Sequence, residues 1–223
     1  MKAEPIHRVL EPEVMDTQEE AAEYDAMDHS EVNRKFVQDF LATEPIGTDV
    51  LDLGTGTALI PVELCLQCRT VRVMASDAAV SMLELARYHI EAEGLRNRIQ
   101  LHHGDSKKLG FEDNMFDAVI SNSLLHHIPE PQTVAFQMQR VLKPGGRLFV
   151  RDLARPETAE QVEYFVATYA GTATPAAQQL FRQSLHAALS LEEIRQIITE
   201  LGFSSEDVTM TSDRHWTWSS LKK

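Results

Sequence analysis

The stretch VLDLGTGTALIPVEL, residues 50–64, predicts a buried strand, a glycine turn and the first turns of a helix. Its first four residues include three apolar side chains, which is typical of a strand inside a sheet. Gly54 and Gly56 flank Thr55 and predict a tight turn, because glycine adopts a positive φ without steric penalty and allows close approach of a ligand. The helix that follows is expected to present backbone N–H groups to an anionic part of that ligand.

Two residues distinguish this stretch from the fingerprint of a dinucleotide-dependent dehydrogenase. That fingerprint has a third glycine or an alanine three residues after the second glycine, and here the position holds the bulky Leu59. Asp52 lies at the end of the strand, where a carboxylate is unfavourable beside a pyrophosphate but suits a cationic amino acid moiety. The segment resembles the first motif of the class I S-adenosylmethionine-dependent methyltransferases.

Two further strands are predicted to end in acidic residues. VRVMASD, residues 71–77, ends in Asp77, about two dozen residues beyond the glycines. A Rossmann-like unit places a carboxylate there to bind ribose hydroxyls, although an N-cap for the next helix fits the same position. IQLHHGD, residues 99–105, is followed by Ser106. The resemblance implies that Asp105 and Ser106 bind the adenine edge, although a Gly-Asp-Ser turn explains both without a ligand.

The resemblance extends through a fourth and a fifth strand. FDAVISNSLLHHIPEP, residues 116–131, is similar to the family's segment beside the methionine end of the cofactor. LKPGGRLFVRDL, residues 142–153, closely resembles the family's helix-to-strand junction. The implied cofactor is S-adenosyl-L-methionine and the implied product is S-adenosyl-L-homocysteine. The implied cofactor-binding residues are Tyr24, Asp52, Gly54, Thr55, Gly56, Asp77, Ala78, Met82, Asp105, Ser106, Asn122 and Ser123.

The fold class follows from these elements. We expect an α/β, Rossmann-like three-layer sandwich whose seven-stranded, mostly parallel sheet ends in an antiparallel strand. Residues 1–48 are predicted to form an N-terminal helical extension or lid, of which residues 1–20 are loosely docked or partly disordered. Residues 49–223 are predicted to form the methyltransferase domain. Within it, residues 155–189 read as a helical cap inserted after the fifth strand, with two helices that break near Gly171 and Pro175.

The reaction implied by the resemblance is methyl transfer to a small-molecule acceptor. Such transfer requires alignment and water exclusion, plus a base where the nucleophile arrives protonated. No single base is assigned. The candidates for catalysis are Tyr24, His29, His126, Asp152, Tyr169 and His215. Acceptor contacts are expected in the cap. Asn122 is followed by Ser-Leu-Leu rather than by Pro-Pro-Tyr, which argues against planar amino groups of adenine or glutamine as acceptors.

The amino acid composition limits the kinds of partner that we expect this protein to bind. The 223 residues carry a net charge of −13, which argues against a nucleic-acid partner, because contacts with phosphates supply most of that affinity. No signal peptide or apolar run of membrane-spanning length is present, so we expect a cytoplasmic protein without a membrane partner. Cys65 and Cys68 cannot form a structural zinc site by themselves, and no metal site is predicted. The expected state is a monomer or a homodimer.

Two other classes of function remain open at this point. The first is an NAD(P)-binding oxidoreductase on a similar sheet, against which Leu59, the Pro-Gly-Gly junction and the terminal hairpin all count. The second is a protein that holds the cofactor, or an empty pocket, without catalysis. Asp52, Asp77 and Asp105 argue for retained binding, but they do not establish turnover.

Overall fold

The computed structural model describes residues 6–11, 16–26 and 29–223. In that part of the chain, helices and strands alternate as the sequence predicts. The helices are α1 (Gln18–Asp25), α2 (Ser30–Leu41), α3 (Leu59–Gln67), α4 (Val80–Ala92), α5 (Pro131–Val141), α6 (Ala159–Tyr169), α7 (Pro175–Ala187) and α8 (Leu191–Glu200). The strands are β1 (Asp49–Leu53), β2 (Arg72–Asp77), β3 (Ile99–His103), β4 (Phe116–Asn122), β5 (Leu142–Leu153), β6 (Val208–Met210) and β7 (His215–Leu221).

The seven strands form one sheet in the order β3-β2-β1-β4-β5-β7-β6. Strand β1 pairs in parallel with β2 and β4, and β2 pairs in parallel with β3. The terminal strands β6 and β7 form an antiparallel pair around residues 211–214, as the sequence predicts. The predicted fold class, a Rossmann-like α/β sheet with an antiparallel C-terminal strand, is therefore confirmed. The terminal hairpin also differs from the 3-2-1-4-5-6 order of dinucleotide-binding sheets.

The chain divides into two compact units, and strands β5 and β7 contribute residues to both. The first strands and their helices, within residues 16–122, 133–150 and 219–223, form the unit that we call the sheet unit. Its apolar core includes α2, whose Phe36 and Phe40 rings lie 5.1 and 5.8 Å from the ring of Phe149. Helix α2 is thus fixed by buried aromatic side chains of the main core.

The other unit, which we call the cap unit, comprises the described residues 6–11, 123–132 and 151–218. Its apolar cluster joins Val162 and Phe165 of α6 to Leu185 of α7. The two helices predicted between residues 155 and 189 are confirmed as α6 and α7, and the break falls between Tyr169 and Pro175. Helix α8 begins with the predicted capping box, in which Ser190 and Glu193 each accept a hydrogen bond from the other's backbone amide.

The N-terminal segment 6–11 is held more closely than the sequence indicates. The guanidinium of Arg8 donates to the carbonyls of Leu125, His126 and Ile128. The Val9 amide donates to the carbonyl of His186 at 3.0 Å. The expectation of a loosely docked segment is therefore wrong for these six residues, because backbone carbonyls elsewhere in the cap unit bind them. Residues 1–5 and 12–15, which carry the same expectation, lie outside the described residues.

Among the helices described here, none combines the length and apolar character that crossing a membrane requires.

Candidate functional site

The glycine loop lies at the carboxyl end of β1, where open α/β sheets bind ligands. Gly54 and Gly56 have φ values of 70° and 55°, and the buried Ala58 also has a positive φ, of 61°. The amides of Gly54 and Thr55 both donate to the carbonyl of Ser76, at 2.9 and 3.0 Å. The amide of Gly56 donates to Oδ2 of Asp77 at 2.7 Å. These three loop amides hold the loop against the end of β2, so the N–H groups expected to face a ligand must lie beyond them, toward α3.

Asp52 is a buried carboxylate near the end of β1, two residues before Gly54. It is only 2% exposed, and its Oδ2 accepts a 2.6 Å hydrogen bond from the hydroxyl of Thr55. Burial raises the pKa of Asp52 to about 7; the Thr55 hydrogen bond opposes that shift, and the charge of Asp77 adds to it. A buried carboxylate of this kind is stabilised in its charged form by a cation, and a ligand's α-ammonium group would supply one.

Asp77 is fixed in orientation by two backbone amides. Its Oδ2 accepts from Gly56, and its Oδ1 accepts from the Ala79 amide at 2.9 Å. A carboxylate has about four acceptor sites, and sugar hydroxyls are among the donors that it can bind. The alternative role as N-cap is wrong, because the N-cap of α4 is Ala79 and no side chain caps the helix there.

Helix α1 places Tyr24 beside the glycine loop. A Cβ atom built on Gly56 would lie 3.9 Å from Cε1 of Tyr24. Burial raises the pKa of the Tyr24 phenol, and the charges of Asp77 and Asp52 raise it further. Met82 lies in the same apolar cluster as Tyr24, and the ring of His29 lies 4.9 Å from the Tyr24 ring. The structure therefore brings together four of the predicted residues, Gly56, Tyr24, Met82 and His29.

The remaining predicted cofactor residues of the sheet unit follow the parallel strands β2, β3 and β4. Asp105 begins a turn after β3, and its Oδ1 accepts from the amide of Lys107 at 2.9 Å. Ser106 lies in that turn, Ala78 follows β2 directly, and Asn122 is the last residue of β4. Because β2 and β4 pair with β1, β3 pairs with β2, and all of these pairs are parallel, the carboxyl ends of the four strands lie at one edge of the sheet. The turn at Asp105 is compatible with both of its predicted roles.

In the cap unit, His126 and Asp152 form a buried pair. Nδ1 of His126 lies 2.5 Å from Oδ1 of Asp152, and the His126 amide donates to Oδ2 at 3.2 Å. Burial lowers the pKa of His126, but the charge and hydrogen bond of Asp152 and the charge of Glu11 outweigh that effect, so the pKa is raised. The same pairing lowers the pKa of Asp152 against the opposing effect of burial. In the absence of another ligand, this arrangement stabilises an imidazolium rather than a free base.

Tyr169 and His215 lie elsewhere in the cap unit. The Tyr169 hydroxyl donates to Asp213, and the guanidinium carbon of Arg214 lies 3.3 Å from the centre of the Tyr169 ring. His215 Nδ1 lies 2.9 Å from the Ser212 hydroxyl. Burial lowers the pKa of His215 to about 4, and Arg214 adds to that shift, so its imidazole is neutral at pH 7.

Ser123, the last predicted cofactor residue, also belongs to the cap unit. It has a positive φ of 58°, and its amide donates to the carbonyl of Arg151 at 2.9 Å. Two arginines of residues 155–189, where acceptor contacts are expected, form ion pairs: Arg155 with Glu193, and Arg182 with Glu163.

The sequence gives no signal for one residue that the structure places beside His126 and His127, which is Glu11. Oε1 of Glu11 lies 3.3 Å from Nε2 of His126 and 3.0 Å from Nδ1 of His127. His127 is visible in the sequence as a neighbouring histidine. Glu11 is one of several acidic residues near the N-terminus, and no spacing distinguishes it from the others.

Comparison with known proteins gives a domain match and several similar methyltransferases. Residues 51–150 match the sequence model of a methyltransferase domain. A demethylmenaquinone methyltransferase from Bacteroides fragilis is 25% identical over 165 residues, which are 70% of this chain and 67% of that protein. The ubiquinone/menaquinone biosynthesis C-methyltransferase UbiE from Klebsiella pneumoniae is 33% identical over 111 residues, which are 49% of this chain and 44% of that protein.

The fold comparison agrees with the domain match. A candidate S-adenosyl-L-methionine-dependent methyltransferase from Methanococcus maripaludis superposes with a TM-score of 0.74 at 18% identity, covering 96% of this chain and 98% of that one. The strand order and the superposition show that the chain has the fold of the class I methyltransferases, and residues 51–150 match a methyltransferase domain.

The structural neighbour is named as dependent on S-adenosyl-L-methionine, and the loop fits this cofactor in three respects. Asp52 is a buried carboxylate with a raised pKa, which a cationic group of the ligand would stabilise in its charged form. Asp77 is oriented beside the loop by two backbone amides. Gly56 leaves open the space that a side chain would fill beside Tyr24.

Proposed function

We propose that this protein transfers the methyl group of S-adenosylmethionine to a small-molecule acceptor. The observation that carries the proposal is the arrangement of two carboxylates around one glycine loop: Asp52 is buried near the end of β1 and accepts from Thr55 of the loop, and Asp77 is bonded to the Gly56 amide. A sulfonium nucleoside with an amino acid tail has one group for each carboxylate. Its ammonium matches Asp52 and its ribose hydroxyls match Asp77.

The remaining contacts in the proposal come from the strand ends. Asp105 and Ser106 bind the adenine edge, Ala78 and Met82 line the nucleoside, and Asn122 and Ser123 bind the methionine end. Tyr24 covers the loop from α1, beside Gly56, where its ring excludes water. The cofactor supplies an electrophilic methyl group on a sulfonium, which departs as a neutral thioether. The protein therefore has to align the acceptor and exclude water.

The names of two relatives guide the choice of acceptors to test. One relative is named a demethylmenaquinone methyltransferase and another a ubiquinone/menaquinone biosynthesis C-methyltransferase, so hydroquinones belong among the acceptors to be tested. The matched region is only 44% of the UbiE relative, and the cap residues 155–189 lie beyond the matched domain. We propose that these residues select the acceptor.

An acceptor screen tests the proposal. The full chain is incubated with S-adenosylmethionine and pools of small molecules, including neutral, cationic and hydroquinone compounds, and release of S-adenosylhomocysteine is measured. We expect acceptor-dependent release that is lost in Asp77→Ala. Binding of the cofactor without release in any pool would support the non-catalytic alternative. Binding of NAD in place of S-adenosylmethionine would support the oxidoreductase.

A further inference from the structure

A buried cluster of metal-ligating side chains lies in the cap unit, among residues to which the proposed function assigns no role in cofactor binding. Glu11, His126 and His127 each offer one ligand atom, and these atoms all lie within 4.8 Å of one another. The side chains of Glu11, His126 and His127 are only 7%, 4% and 19% exposed. We propose that this cluster binds one divalent transition-metal ion, with Zn²⁺ as the reference ion.

The distances between the ligand atoms fit a common centre. Oε1 of Glu11 lies 3.3 Å from Nε2 of His126 and 3.0 Å from Nδ1 of His127. Zinc bonds of about 2.0–2.1 Å in tetrahedral geometry place neighbouring ligand atoms roughly 3.3 Å apart. No atom in the described part of the chain makes a hydrogen bond to the buried Nδ1 of His127, although Glu11 Oε1 is near it. The two distances from Glu11 are therefore compatible with ligands of one ion, and the third pair of atoms lies within 4.8 Å.

A second carboxylate supports the first histidine as a ligand. Asp152 Oδ1 lies 2.5 Å from Nδ1 of His126, the ring nitrogen that faces away from Glu11. When Nδ1 carries the proton and donates it to Asp152, the lone pair of Nε2 faces Glu11 and is available to a metal. Metal-ligating histidines usually donate their other N–H to a carboxylate in this way. Asp152 is therefore a positioning residue in the proposed site.

The backbone around the cluster is fixed before any metal binds. Arg8 donates to the carbonyls of Leu125 and His126, the first two residues of the 3₁₀ turn Leu125–His127. The Ser184 hydroxyl, on α7, lies 3.3 and 3.2 Å from the two carboxylate oxygens of Glu11. These contacts bring Glu11, which is distant in sequence, to the two adjacent histidines. A bound ion would add a further connection between the N-terminal segment and that turn.

The choice of ion follows from the ligands. Two imidazoles and one carboxylate suit Zn²⁺, Fe²⁺, Ni²⁺ and Cu²⁺ better than Mg²⁺ or Ca²⁺, which favour oxygen ligands. Three protein ligands leave a fourth tetrahedral position for water or a ligand oxygen. The competing occupant of the cluster is a proton on Nε2 of His126, which would make the Glu11 contact a plain ion pair.

Metal titration tests the inference without any activity measurement. The full chain is stripped with a chelator and titrated with Zn²⁺ in competition with a chromophoric chelator. We expect one equivalent to bind, with affinity at least about tenfold weaker in Glu11→Gln and in His127→Asn. The matched control is His7→Asn, which removes an exposed histidine of the same N-terminal segment and should leave binding unchanged.

A second readout covers variants that do not fold. Co²⁺ added to the stripped, unaltered chain should give the visible absorption of a four-coordinate ion, and one equivalent of Zn²⁺ should abolish it. The inference is overturned if the unaltered chain binds no stoichiometric Zn²⁺ or Co²⁺. It is also overturned if folded Glu11→Gln and His127→Asn bind as tightly as His7→Asn. Every readout measures metal binding, and none measures methyl transfer. A negative result would therefore overturn the metal site without bearing on the proposed methyl transfer.

Discussion

The backbone amide of Gly56 donates a 2.7 Å hydrogen bond to Oδ2 of Asp77 and thereby joins the glycine loop after β1 to the end of β2. The bond fixes the loop and orients the carboxylate together. In our account, the amino acid tail and the sugar of one cofactor are recognised on either side of this bond. The carboxylate and the loop can therefore be tested by separate substitutions.

Removing the carboxylate should weaken cofactor binding. We expect Asp77→Ala to bind S-adenosylmethionine more than about tenfold less tightly, because charge-assisted hydrogen bonds to the sugar are lost. Asp117→Ala is the matched control, because Asp117 also accepts two backbone amides, from Thr48 and Asp49, at the start of β4. Calorimetric titration measures both. An unchanged affinity in folded Asp77→Ala would remove this residue from the ribose site.

A substitution in the glycine loop should also weaken cofactor binding, but through backbone strain rather than through loss of a carboxylate. Gly56→Ala places a Cβ 3.9 Å from Tyr24, which is an ordinary contact, but forces alanine to a φ of 55°. We expect a loss of about 1 kcal/mol in the free energy of unfolding and weaker cofactor binding.

The matched control for the loop is Gly94→Ala. Gly94 has a φ of 67° after α4, with nothing within 4 Å of its added Cβ. It should lose similar stability in urea unfolding and retain full cofactor affinity. Equal loss of affinity in both variants would mean that strain, rather than the position of the loop, governs binding.

Asp52 should make stability depend on pH. Burial raises its pKa from 3.8 to about 7, so the folded protein retains this proton more strongly than the unfolded chain. The contribution of Asp52 to stability therefore falls as pH rises from about 4 to about 7. We expect the stability of Asp52→Asn, relative to the unaltered protein, to increase by roughly 2 kcal/mol between pH 5 and pH 8. Urea unfolding at both pH values measures this, and a parallel response of the two proteins would contradict the buried, protonated state.

The cap should affect the acceptor and not the cofactor. Tyr169, at the end of α6, binds Asp213 through its hydroxyl and lies under Arg214. Once an acceptor is identified, we expect Tyr169→Ala to raise the KM for the acceptor at least about threefold while the affinity for S-adenosylmethionine is unchanged. Tyr164→Ala, on the same helix and 62% exposed, is the control. No change in acceptor kinetics from substitutions across residues 155–189 would exclude the cap as the selecting element.

The sequence predicts the sheet and the glycine loop well because both are encoded locally. Apolar runs end in Asp77 and near Asp105, and parallel strands necessarily bring those ends to one edge. The helices α6 and α7 and the Ser190–Glu193 capping box are equally visible, because the caps and breaks are short-range signals.

The features that the sequence does not reveal depend on long-range contacts. Glu11 reaches His126 and His127 only because Arg8 and Ser184 hold the N-terminal segment, and no spacing in the sequence encodes that approach. The loop amides likewise donate to the Ser76 carbonyl and the Asp77 carboxylate, and these hydrogen bonds depend on the register of β1 with β2. The prediction of no metal site follows from spacings between residues that are close in the sequence. The cluster instead joins Glu11 to His126 and His127, which lie in the other half of the chain.

Direct titration of the full chain with S-adenosylmethionine, with NAD as the comparison ligand, tests the central claim. Our account predicts one equivalent of S-adenosylmethionine bound, competition by S-adenosylhomocysteine, and no heat with NAD. Binding of NAD in its place, or no binding of S-adenosylmethionine at millimolar concentration, would contradict the assignment of the glycine loop and its two carboxylates.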